Sequence, residues 1–89
     1  MKLIEIVRDL GSFDSEEDIY ASEPWTAGCE AIVTPESNVS SAVERLNMKY
    51  FLEVFIARDF LNAWSASLED APTLQEKCAR LIQYAIHDA

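Results

Sequence analysis

One histidine, two cysteines and two glycines leave this 89-residue sequence short of the residues most catalytic and cofactor sites are built from. His87 is the only histidine and falls among the last residues, where chains fray. A general base must be held within hydrogen-bond reach of its target, so a Ser-His-Asp or Cys-His site finds no support. Cys29 and Cys78 are far apart and match no CxxC pattern. With a single histidine they make no zinc constellation, and they are expected to be buried thiols rather than a bridge. The acidic run 14–18 lacks the alternating ligands and turn glycine of a calcium loop. Neither GxGxxG nor GxxxxGKS occurs. The expectation is therefore no catalytic residue, no metal and no cofactor, and a domain that is not an enzyme.

Positive charge is scarce as well. Seven lysines and arginines face sixteen acidic residues, for a net charge of -9. The basic residues are scattered along the chain from Lys2 to Arg80. No basic stripe stands ready to neutralise phosphates, which predicts no direct binding of nucleic acid. The same scarcity argues against an anionic membrane surface. The apolar stretches are interrupted by Glu53, Arg58 and Asp59, so none is expected to span a bilayer. KLIEIVRDL after Met1 has no cationic segment followed by a long apolar one, and a cytoplasmic location is expected.

What is present is apolar. Hydrophobic residues make up 49% of the chain, and three prolines and two glycines interrupt it little. Residues 49–65, KYFLEVFIARDFLNAWS, hold three phenylalanines, a tyrosine and a tryptophan. A dense apolar block in an acidic chain indicates one small folded domain over 1–89 rather than a disordered acidic tail.

Periodicity sketches the elements. Leu3, Ile4, Val7 and Leu10 share a helical face over 2–10, with Gly11 as a left-handed cap. Residues 12–18 read as an acidic loop with Phe13 tucked inward; Ser15 capping a short turn is the competing reading. Ile19 and Tyr20 suit a strand that ends before Pro24. Residues 25–28 read as a turn, and 29–34 as a second strand stopped by Pro35. Val39, Ala42, Val43 and Leu46 suggest a short helix over 39–46. Residues 50–56 alternate like a strand with two apolar faces, hence a central one. The period then changes: Ala57, Phe60, Leu61 and Trp64 mark a helix, with Trp64 in the core. Thr73 and Glu76 form a capping box for a last helix with Leu74, Cys78, Leu81, Ile82, Ala85 and Ile86 on one stripe. These elements make an α+β domain: an antiparallel sheet of about three strands, an N-terminal helix, and C-terminal helices packed on one sheet face.

Two features suggest binding. Trp25 lies beside Glu23 and follows the carboxylates Glu16, Glu17 and Asp18, a composition suited to anchoring a basic partner. The competing reading has its indole closing the core edge. Glu53 lies between Phe51 and Phe55 on its expected strand face, which makes it a candidate for acid–base work or partner contact. A carboxylate at the sheet surface, or one paired with Arg8 or Arg58, is the alternative.

IYASEPWT (19–26), EAIV (30–33), YFLEV (50–54) and ARDFLNAW (57–64) resemble an uncharacterised family of short acidic bacterial proteins. The resemblance implies a coherent fold and a bacterial origin, and draws attention to Tyr20, Pro24, Trp25 and Glu53. It implies no chemistry.

The leading functional expectation is a non-catalytic protein-binding domain: an acidic inhibitor or immunity-type protein acting on a partner with a basic surface. The residues expected to make contact are Glu16, Glu17, Asp18, Tyr20, Glu23, Trp25 and Glu53. A structural or regulatory subunit forming a homodimer is the alternative, and a small-molecule enzyme the weakest one.

Overall fold

The N-terminal apolar face forms helix α1, Leu3–Arg8, in a computed structural model that describes residues 1–35 and 47–88. Its first amide groups have no partner within the helix. The carbonyls of Cys29 and Ala27 accept the N–H groups of Leu3 and Ile4, at 2.9 Å each. Lys2 bridges to Glu30 beside them, through the backbone and through a 2.8 Å contact between ammonium and carboxylate. The helix therefore starts where the sheet begins.

The glycine cap expected at Gly11 does not form. The chain turns from Asp9, at φ -101°, into a 3-10 turn over Leu10–Ser12, and neither glycine has a positive φ. Burial of Leu10 accounts for the difference, because the tighter turn carries this side chain inward. Both the amide and the hydroxyl of Ser12 donate to the Asp9 carbonyl, at 2.8 and 2.6 Å. The following acidic segment is a turn with Phe13 packed on the core. Its capping side chain is Asp14 rather than Ser15: Asp14 Oδ1 accepts from the Glu16 amide at 2.9 Å, as in an Asx turn.

Three antiparallel strands follow: β1 (Asp18–Ser22), β2 (Ala31–Thr34) and β3 (Met48–Glu53), in spatial order β2-β1-β3. The second strand is shorter than the expected 29–34. Asn47 leads into β3 at φ 54°, a left-handed geometry that asparagine tolerates. The helix expected over 39–46 lies outside the described residues.

β3 overturns two expectations. It ends at Glu53 rather than at residue 56, and it is an edge strand, with β1 at the centre. The apparent apolarity of both faces comes from a bulge. Ile19 pairs with Leu52 and Tyr20 with Tyr50, which leaves Phe51 as an extra residue. Phe51 and Leu52 are consecutive yet both buried, and Phe51 is wholly enclosed. A bulge thus imitates the pattern of a strand buried on both sides.

Helix α2, Val54–Ala66, begins without any connecting loop. Ala57 and Leu61 are buried, while Trp64 is only half-buried against the core instead of inside it. Helix α3, Leu74–Asp88, starts at the expected capping box. The Thr73 amide donates to Glu76 Oε1 at 2.9 Å and the Glu76 amide to Thr73 Oγ1 at 3.1 Å. α3 packs on α1 and α2. Phe60 stacks on Tyr84 at 4.1 Å, and the Arg80 guanidinium lies over the same Phe60 ring at 5.1 Å. The helices cover the sheet face that carries Ile19, Ala21, Ala31 and Leu52, closing an α+β core.

Phe51 sits where sheet, bulge and the Trp25 ring meet, with the two ring centroids 4.9 Å apart and edge-to-face. Phe51→Ala is expected to cost about 3–5 kcal/mol, a large part of what a domain of this size has. Urea unfolding followed by tryptophan fluorescence checks this. A loss below about 1 kcal/mol would place Phe51 outside the structural centre.

Candidate functional site

The sheet's outward face carries the candidate site. Tyr20 of β1 and Tyr50 of β3 are register partners, and their rings meet edge-to-face at 6.1 Å. The bulge at Phe51 sets this up by returning Tyr50 to the outward side. Tyr50 remains 45% exposed.

Carboxylates gather at one end of this face. Asp18 and Glu53 are Cα partners across β1 and β3. Asp18 is buried, and among the described residues no buried side-chain nitrogen or oxygen lacks a hydrogen-bond partner. Glu16 and Glu17 immediately precede β1. Their turn is bound to the start of α2: the Glu17 carbonyl accepts from the Val54 amide at 2.9 Å and the Ser15 carbonyl from Phe55 at 3.2 Å. Phe55, in the first turn of α2, is 44% exposed. Of the seven residues expected from sequence, Glu16, Glu17, Asp18, Tyr20 and Glu53 thus lie together.

Glu23 and Trp25 do not join them. They follow the opposite end of β1, about 13–16 Å along the strand. The Trp25 indole donates to the Ala21 carbonyl at 3.2 Å and its ring meets Phe51, so Trp25 closes the core edge. The exposed Glu23 and Pro24, joined by a cis peptide bond, stand with Trp25, Ala85 and Ile86 around a shallow apolar groove of about 440 Å³.

Glu53 also departs from its expected setting. It is the residue before α2, so Phe55 belongs to the helix and the Phe51–Glu53–Phe55 strand face does not exist. Among the described residues it pairs with neither arginine. Arg8 binds Asp9, at 3.1 and 2.9 Å. Arg58 donates to the carbonyls of Leu10 and Phe13.

The electrostatics of the site register at Tyr50. Its phenol is held above the ordinary tyrosine range, first by burial, then by the carboxylates of Glu53 and Asp18. Cys78 is another raised group: burial, then Cys29, pushes its thiol up to about 11. At neutral pH that thiol is protonated and a poor nucleophile. Both cysteines are free, and among the described residues no three His, Cys, Asp or Glu side chains gather to hold a metal ion. No helix is long and apolar enough to cross a membrane among these residues.

The sequence alone does not mark Tyr50 and Phe55 as surface groups, because both sit in an apolar block whose alternation suggests a central strand. Comparison with protein families, curated proteins and solved structures returned no match.

A raised Tyr50 pKa favours the neutral phenol in the folded state. The stability it contributes is full below the unfolded value of about 10 and is lost as pH rises through the folded value. Tyrosinate absorbance, with Tyr50→Phe for assignment, should show Tyr50 ionising above the ordinary range. Glu53→Gln should bring that ionisation down. Ionisation at or below the ordinary value, indifferent to Glu53, would contradict the electrostatic picture.

Proposed function

We propose that this chain is a non-catalytic protein-binding domain whose acidic, tyrosine-bearing sheet face receives a basic surface of another protein. The observation that carries the reading is the Tyr20–Tyr50 pair, exposed at Tyr50 and set beside Asp18 and Glu53. Exposed tyrosines supply rigid contact area with a polar tip, and surrounding carboxylates steer a cationic partner and fix its orientation. The net charge of -9 supports the same reading, since it repels nucleic acid and accelerates encounter with basic proteins. Its most concrete form is an inhibitor or immunity-type protein that covers a basic, nucleic-acid-handling surface in a bacterial cytoplasm. Glu16 and Glu17 belong to the contact in this reading, with Tyr20 and Tyr50 at its centre. Glu23 and Trp25 lie at its margin.

A homodimer is the second reading, and Ile86 favours it. This side chain is 57% exposed, the most among the large hydrophobic residues described, and it lines the apolar groove beside Trp25.

The test is affinity for basic nucleic-acid-processing proteins of the host, measured by calorimetry at low and physiological salt. A partner whose affinity falls steeply with salt, and drops about 30-fold or more (about 2 kcal/mol) on Tyr50→Ala, is the expected outcome. Salt-insensitive binding, or binding indifferent to Tyr50, contradicts it. A mass that rises with concentration in light scattering and is abolished by Ile86→Glu moves the assignment to the homodimer.

A further inference from the structure

Three of the seven basic residues, read as scattered in the sequence, converge on one concavity. Arg8 ends α1, Arg58 lies in the second turn of α2, and Lys77 lies just past the first turn of α3. Asn62 and Ser65 complete the polar wall. Arg58, Leu61, Asn62 and Ser65 recur at i, i+3, i+4 and i+7, so one face of α2 presents all of them. The buried side chains of Val7, Leu10 and Leu61 line the pocket as well.

This gathering of cations is unusual in so acidic a chain. No carboxylate lines the pocket among the described residues. Arg8 is met by Asp9, but neither Arg58 nor Lys77 forms an ion pair among them. Two interactions of Arg58 run to the carbonyls of Leu10 and Phe13, which leaves three of its five N–H groups for another acceptor. Those carbonyls also anchor the guanidinium in place. Lys77 stands near the N-terminal end of α3, where the helix dipole does not favour a cation. Like charges brought together beside apolar side chains repel one another unless an anion joins them.

We propose that this pocket binds a phosphate-sized oxyanion, with Arg58 and Lys77 as its principal cationic donors, Asn62 and Ser65 as neutral donors, and Arg8 at the rim. The donor set suits the chemistry. A guanidinium offers paired N–H groups to two oxygens, an ammonium meets a third, and an amide and a hydroxyl remain for the fourth. The volume is about 270 Å³, just below the range of drug-sized ligand sites and far above the ~30 Å³ of one water. It accommodates a phosphate group with some of its hydration. The overall negative charge does not forbid this. At physiological ionic strength, charges beyond about 8 Å are largely screened, whereas the donors act in direct contact. The pocket lies among α1, α2 and α3 and is separate from the tyrosine face of the sheet, so either reading can fail alone.

The experiment is a ¹⁵N NMR titration of the whole chain with inorganic phosphate, at constant ionic strength maintained with chloride. Saturable shifts at the Asn62, Ser65 and Lys77 amides are expected. Lys77→Gln should weaken binding about tenfold, and Lys49→Gln should leave it unchanged. Because Arg58 also holds two carbonyls, Arg58→Lys is the second variant: it keeps the charge, loses the paired donors, and should weaken binding while its spectrum reports the fold. Shifts that do not saturate, that chloride alone reproduces, or that persist undiminished in Lys77→Gln would overturn the proposal.

Discussion

The loopless passage from β3 into α2 depends on two carbonyl groups borrowed from the acidic turn. A helix that starts directly after a strand leaves its first amides without partners. Here Glu17 and Ser15 accept from Val54 and Phe55, and the turn that presents them is itself fixed by Asp14. α1 is treated the same way, with Cys29 and Ala27 as acceptors. α3 is capped by its own Thr73 and Glu76, and in α1 the Glu5 carboxylate also accepts from the Lys2 amide, at 2.7 Å. The helices are thus tied to the sheet at their origins as well as along their buried faces.

That junction also determines the surface. The turn that serves α2 carries Glu16 and Glu17, the strand it introduces starts with Asp18, and Asp18 faces Glu53 across the sheet. The Phe51 bulge buries two consecutive side chains and keeps Tyr50 on the outward face beside Tyr20. Fold and candidate site are therefore one arrangement, because the contacts that close the helix start also assemble the carboxylates around the tyrosines. Several cations are gathered elsewhere, among the helices.

Much of the architecture was legible from local signals. The capping box at Thr73 and Glu76, the apolar stripe of α3, and the strand between the acidic turn and Pro24 all rest on neighbours a few residues apart. What was illegible depended on pairing partners. Nothing local to 50–56 shows that Ile19 and Tyr20 skip a residue opposite them, so the bulge passed for a doubly buried central strand. Gly11 has the residue type of a left-handed cap, but burial of Leu10 selected a 3-10 turn. The meeting of Arg8, Arg58 and Lys77 joins three helices, and no spacing rule reaches across them. Glu16, Glu17, Asp18, Tyr20 and Glu53 come together because they lie on two paired strands and the turn before them. Trp25 was separated from them by the length of β1.

Native-state hydrogen exchange at the amides of Val54 and Phe55 tests the central claim most directly. If the Glu17 and Ser15 carbonyls hold the start of α2, both amides are protected, and Asp14→Ala lowers their protection together while the amides of α3 keep theirs. Exchange of both at the rate of an unstructured peptide in the unmodified protein would contradict the account.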